Sequence, residues 1–244
     1  MSKTSRMLRR LREARRVRRT RRACCGFEAA PFDRRAPRER IEELGADEAL
    51  EMYESQLPVG HALDLGTGDG DHALWLAARG YEVEGVDVDA RALRRAELRA
   101  RRLHLWLQTF QADARDFPIL PDSYDLIVAA ALLHFLPPDS LPDLASRIAA
   151  GLRPGGCVYA SVLTTDDPGY AILRGSGEPE VAPNTFDVAD MGIGPTLHYF
   201  GKGELRALFS TLDVVHYAEE RHLRPGSEQG YNAAAVLLAR KTAG

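Results

Sequence analysis

Apolar residues along this chain fall in short continuous bursts, and amphipathic stretches separate the bursts. "ALDLG" (62–66), "YEVEGVD" (81–87), "YDLIVAAAL" (124–132) and "CVYASVL" (157–163) read as strands, and "LHLWLQTFQAD" (103–113) contains another. Between them lie helical patterns: "DHALWLAARG" (71–80), "ARALRRAELRARR" (90–102) and "PDSLPDLASRIAAGLRPGG" (138–156). Strands alternating with helices imply parallel crossovers and a doubly wound α/β sheet. A helix over "GKGELRALFSTL" (201–212) leads to two last strands, "DVVHYAEE" and "AAAVLLARK". The twelve residues joining them are too few for a crossover helix, so the pair is predicted to be an antiparallel hairpin.

Two further segments flank this alternation. "RERIEELGADEALEMYESQL" (38–57) spaces Ile41, Leu44, Ala49, Met52, Tyr53 and Leu57 as one helix would, and Pro58 stops it. Residues 164–197 are rich in Gly, Pro and Asp, and a structureless connection of that length is usually functional or disordered. It is expected to be a substrate lid, partly helical.

Composition adds bounds. The 244 residues are 45% apolar and 27% charged, which suits one α/β domain. No apolar run approaches the roughly 20 residues that cross a bilayer, and no secretory signal is visible. The net charge of −3 hides an asymmetry: residues 1–22 carry +10 and the rest −13. The body is therefore a poor partner for nucleic acid, and only the arm offers phosphate a basic surface. Residues 1–32 are expected to be a disordered basic arm before a single domain (33–244). The arm admits several readings: a tether to nucleic acid or anionic membrane, an Arg-rich leader, a solvated tail, or a misassigned start. Cys24, Cys25 and Cys157 have no metal-ligand spacing, so no metal site is expected, and a reducing cytoplasm is the expected location.

The chemistry centres on "DLGTGDGD". In an open parallel sheet, ligands bind beyond the carboxyl ends of the strands. Gly66, Gly68 and Gly70 allow a tight turn and close approach of a ligand. A dinucleotide fingerprint would need glycine at Asp71, and a phosphate loop would need Gly-Lys-Ser/Thr. Acids crowd the loop instead, at Asp64, Asp69 and Asp71, which favours a ligand with positive charge and no phosphate. Asp87 ends the second strand, placed to accept ribose hydroxyls. Asp113 ends the third, at the edge where an adenine amino group would lie.

In that order and spacing, "ALDLGTGDG", "GVDVD", "QADARDFP", "YDLIVAAALLHFLPPD" and "LRPGG" resemble the class I S-adenosylmethionine-dependent methyltransferases over roughly residues 55–165. The resemblance implies a Rossmann-like, seven-stranded sheet with its last strand antiparallel, and S-adenosylmethionine as cofactor. It implies that Asp64, Gly66, Thr67, Gly68 and Gly70 cradle the methionine end. Asp87 and Val88 would meet the ribose and its surroundings, Asp113 and Ala114 the adenine, and Ala130 the sulfonium. "HYFGKGELRALFSTLDVVHYAEE" is similar to the tail of tellurite-resistance methyltransferases, which implies a small-molecule acceptor.

Topology gathers the acceptor side. His134, the 164–197 segment and the last hairpin open on the same edge as the glycine loop. His134 is the candidate base, with packing as its alternative. Tyr170, Arg174, His222 and Arg224 are candidates for holding the acceptor. His61, His72, His104 and His216 read as packing or surface residues, and Trp75 and Trp106 as core. The expected function is methyl transfer to a small molecule in the cytoplasm. The alternatives are an RNA or protein methyltransferase guided by the arm, and a nucleoside-binding module without turnover.

Overall fold

The computed structural model describes residues 40–192, 194–223 and 231–242. The basic arm, Cys24, Cys25 and Arg224 lie outside the described residues, as does the side chain of His222.

The apolar bursts form strands because each is covered on both faces. Strands β1 (His61–Leu65), β2 (Glu82–Asp87), β3 (Leu107–Gln111), β4 (Tyr124–Ala130) and β5 (Leu152–Leu163) run parallel. Along β4, Leu126 and Val128 face one core cluster while Ile127 and Ala129 face the other. That two-residue alternation within an all-apolar run marks a strand buried on both sides.

Helices α2 (Asp71–Ala78), α3 (Ala90–Arg102) and α4 (Leu141–Gly151) are the crossovers. In α3, Ala92, Leu93, Ala96 and Ala100 make the buried stripe. Asp89 caps its start by accepting the Arg91 N–H at 2.7 Å. Arg99, Arg101 and Arg102 sit where the helix dipole is negative.

Small strands β6 (Glu180–Ala182), β7 (Thr185–Asp187) and β8 (Thr196–His198) form a separate antiparallel sheet. The chain then closes with β9 (Asp213–Leu223) and β10 (Tyr231–Arg240). The main sheet has seven strands in the order β3-β2-β1-β4-β5-β10-β9, with β10 antiparallel to both neighbours. Strand order reverses between β1 and β4, so their carboxyl ends border the ligand crevice.

The structure corrects several expectations. The N-terminal helix is broken into a 3-10 turn at Ile41–Glu43, α1 (Glu48–Met52) and a second turn at Glu54–Gln56. Leu44, Leu50 and Leu57 all bury in one core face, and the chain bends at Leu44-Gly45 to follow it. Strand β5 starts five residues before Cys157. Its Pro-Gly-Gly is an irregularity inside the strand, with Gly155 at φ +81. Helix α6 is only Glu204–Leu208. Trp75 is fully buried, but Trp106 is 39% exposed, just before β3.

Residues 164–197 are more ordered than expected. Beside α5 (Pro168–Ser176) they hold β6, β7 and the start of β8. Leu173, Phe186, Val188, Leu197 and Tyr199 form a small core against Phe135 and Leu163. The last two follow β4 and end β5, so this layer sits over the carboxyl ends of those strands.

Candidate active site

The turn after β1 is built from backbone hydrogen bonds. Gly66 and Thr67 both donate N–H to the Val86 carbonyl, at 2.8 and 3.0 Å. The Thr67 hydroxyl donates to the Asp64 carbonyl at 2.8 Å and is buried. Thr67 thus shapes the loop with both its side chain and its backbone, whose carbonyl accepts the Gly70 N–H at 2.9 Å. At Gly66, φ is +75, and a Cβ would lie 3.1 Å from the Leu132 side chain. Glycine therefore keeps open the gap between this loop and the turn after β4.

The acids divide by role. Asp87 Oδ2 accepts the Gly68 N–H and Oδ1 the Asp89 N–H, both at 2.8 Å. Each oxygen keeps a second lone pair, as two ribose hydroxyls require. Val88, next to it, is 63% exposed and offers an apolar face. Asp113 is held by Arg115, whose Nη2 donates to Oδ2 at 2.6 Å. That guanidinium lowers the Asp113 pKa. Ala114 beside it is buried.

Asp69 and Asp71 turn away from this role. Arg95 bonds Asp69 at 2.7 Å and Arg99 bonds Asp71 at 2.6 Å, so both acids clamp the loop to α3. Their carboxylates are thus paired with arginines of the next helix, which the sequence did not reveal. Asp64 is the loop acid that remains: it is 2% exposed, and burial pushes its carboxyl up to about 6.

A polar cluster that the sequence did not reveal lies beside Asp64. Asp47 Oδ2 accepts from the Tyr159 hydroxyl at 2.7 Å and the Ser161 hydroxyl at 3.1 Å. Its Oδ1 lies 3.4 Å from His72 Nε2. Burial alone would raise the Asp47 carboxyl, but the bonds from His72, Tyr159 and Ser161 hold it down at about 2. Burial lowers the His72 pKa, and Asp47 and Asp64 more than offset that, so it is raised overall. At the end of β4, Ala130 is half-buried, and Ala131 follows in a left-handed turn at φ +49.

A family model described as a methyltransferase domain matches residues 62–156. The match runs from β1 to the first residues of β5. The bifunctional biotin biosynthesis protein BioHC of Cellvibrio japonicus is 30% identical over 228 residues, 88% of this chain and 43% of that protein. Among solved structures, a SAM-dependent methyltransferase from Methanosarcina mazei matches with TM-score 0.66 at 21% identity, covering 79% of this chain and 98% of that one. TehB from Haemophilus influenzae matches with TM-score 0.62 at 20% identity, covering 81% and 62%. The chain spans less than half the length of the first curated relatives it matches. The fold is that of the class I S-adenosylmethionine-dependent methyltransferases, as the resemblance implied.

S-adenosylmethionine fits the residues present. The two lone pairs of Asp87 and the exposed Val88 suit a nucleoside. The buried Asp64 suits an amino-acid ammonium.

The acceptor side is less direct. His134 is buried, and its Nδ1 accepts the Leu163 N–H at 3.3 Å. Burial, then the neighbouring His198, lowers its pKa to about 4. With Nδ1 engaged, the neutral ring carries its proton on Nε2 and has no lone pair left for a substrate. Tyr170 donates its hydroxyl to Asn184 Oδ1 at 2.7 Å and packs on Phe186 and Tyr199. Arg174 lies over the Tyr170 ring at 5.6 Å and is exposed. These two meet each other within the layer built from residues 164–197.

Proposed function

We propose that this protein transfers a methyl group from S-adenosylmethionine to a small-molecule acceptor. The observation that carries this reading is Asp87, bonded to the glycine loop and still able to accept from both ribose hydroxyls. Gly66 to Gly70 and Asp64 would hold the methionine end, with Val88 beside the ribose and Asp113 and Ala114 at the adenine. Bound there, the cofactor supplies a methyl carbon activated by the sulfonium.

The chain then has to orient the acceptor in line and exclude water. Alignment of this kind supplies roughly 7–11 kcal/mol in favourable cases. The layer built from residues 164–197 stands over the ends of β4 and β5, next to Ala130, and we assign it as the acceptor lid. Tyr170 and Arg174 bring a hydroxyl and a guanidinium to it, and His222 in β9 and Arg224 are the further candidates for holding the acceptor. His134 acts by packing and by fixing the end of β5.

The small-molecule assignment draws on this lid and on the Cellvibrio relative, which is named for biotin biosynthesis. A protein working in the cytoplasm agrees with it. The acceptor screen starts with tellurite, selenite, small thiols and carboxylic acids. The first test is a thermal-shift titration with S-adenosylhomocysteine, with NADH as control, on the wild type and Asp87→Ala. Ligand at a hundred times its Kd adds about 2.7 kcal/mol of stability. A shift with NADH alone would end the methyltransferase reading.

The +10 charge of residues 1–22 favours a second reading, in which the arm delivers an RNA or protein acceptor. Salt-dependent RNA binding that vanishes on deleting those residues would support it. Cofactor binding without transfer to any acceptor would leave a nucleoside-binding module.

A further inference from the structure

Asp47 occupies the N-cap position of α1, yet its side chain makes no capping bond. Its carboxylate reaches β5 instead. Tyr159 and Ser161 are two residues apart on that strand, so they share one face, and both donate to Asp47 Oδ2. The Ser161 hydroxyl thereby has its proton committed, and its oxygen is turned toward the end of β4. There it accepts the Ala131 N–H at 3.1 Å, and the Ser161 carbonyl accepts the same N–H at 3.0 Å. Ala131 sits at φ +49, a region that residues with a Cβ enter only at a cost. Such a backbone persists when its surroundings over-determine it, and here two acceptors on one N–H do so. On its other side, Asp47 meets His72 in the first turn of the glycine-loop helix.

We propose that Asp47 is a positioning residue of the transfer site: by orienting the Ser161 hydroxyl it fixes the Ala130-Ala131 turn that borders the transferred methyl. The assignment rests on the reading that this chain binds S-adenosylmethionine at the glycine loop. It makes the N-terminal segment, which lies outside the 62–156 methyltransferase match, part of the working site.

The test needs no acceptor. S-adenosylhomocysteine has no group at the methyl position, whereas sinefungin carries an amino group there. Isothermal titration of both ligands, on the full chain, reads the turn through the ratio of their affinities. Asp47→Ala and Ser161→Ala are each expected to shift that ratio by about tenfold, the scale of one lost hydrogen bond. The double variant should match the singles, because both remove the same support. Ser161→Thr, which keeps the hydroxyl, should restore the wild-type ratio. If Asp47→Ala does not fold, the Ser161→Ala and Ser161→Thr pair carries the test. Both ligands weakening by one common factor, an unchanged ratio, or additive effects would overturn the assignment. A wild type that binds neither ligand would bring down the methyltransferase reading itself, a separate result.

Discussion

Asp87 accepts the Gly68 N–H at 2.8 Å, so the acid that ends β2 and the loop that follows β1 act as one unit. Asp87→Ala removes the ribose acceptor and frees the loop together. Two charge-assisted bonds to a ligand are worth roughly 1.5–3 kcal/mol each. The expected result is a Kd for S-adenosylhomocysteine raised at least about a hundredfold, read by calorimetry. Asp87→Asn should also weaken binding, because its amide N–H2 would face either Gly68 N–H or Asp89 N–H. Wild-type affinity in Asp87→Ala would remove Asp87 from the site.

Gly70 and Gly175 make opposite predictions for the same substitution. Gly70 has φ +89, and a Cβ there would lie 2.8 Å from the Ala96 Cβ on α3. The left-handed backbone costs about 1–2 kcal/mol with a Cβ, and forced overpacking about 1–3 more. Gly70→Ala should therefore lower stability by roughly 2–5 kcal/mol in urea denaturation. Gly175 lies in α5 with open space around it. Gly175→Ala should stabilise by about 0.5–1 kcal/mol, through helix propensity.

The buried Asp64 sets a pH dependence. Its pKa is about 6 in the fold, raised by burial above the ordinary 3.8. The folded state therefore holds this proton more tightly than the unfolded chain. That contribution is complete below about pH 4 and is lost as pH rises through 6. Asp64→Asn keeps a neutral group at all pH, so the ligand-free variant should melt higher than wild type at pH 7.5 and equally at pH 4. The same variant should bind S-adenosylhomocysteine more weakly, having lost the charge for its ammonium. A melting difference that does not change with pH would refute this placement of the Asp64 proton.

Much of the fold was legible because of how parallel strands are buried. "DLIVAA" has apolar partners on both faces, so the run is continuous and easily read. The antiparallel hairpin followed from the length of its loop. The small sheet of β6, β7 and β8 was hidden, since three-residue strands such as Thr185–Asp187 are too short to show an alternation. Asp87 ends β2 as the motif indicated, whereas Asp113 lies two residues past the end of β3 at Gln111. The use of Asp69 and Asp71 was not legible, since only the folded helix brings Arg95 and Arg99 across to them. Asp47 was least legible. It falls in the middle of the single helix expected over residues 38–57, and its partners Tyr159 and Ser161 lie more than a hundred residues away. His72 was read as packing because its partners come from distant positions on the chain.

His134 gives the sharpest separation between catalysis and support. Its Nδ1 takes the Leu163 N–H, and its pKa lies near 4, lowered by burial and by His198. A histidine depressed in the fold contributes stability that is present above about pH 6.5 and is lost as pH falls toward 4. The imidazole should accordingly titrate near pH 4 by NMR in the wild type. His134→Asn can place its side-chain oxygen where Nδ1 was and keep the bond to Leu163. It should retain methyl transfer within a few-fold, measured with the acceptor that the screen returns. His134→Leu would leave the Leu163 N–H without its acceptor, a loss of about 1–3 kcal/mol, visible as a lower urea midpoint. General-base catalysis predicts the reverse pattern. His134→Asn would then keep its melting temperature while transfer fell by a hundredfold or more, and the acidic limb of the rate profile would disappear.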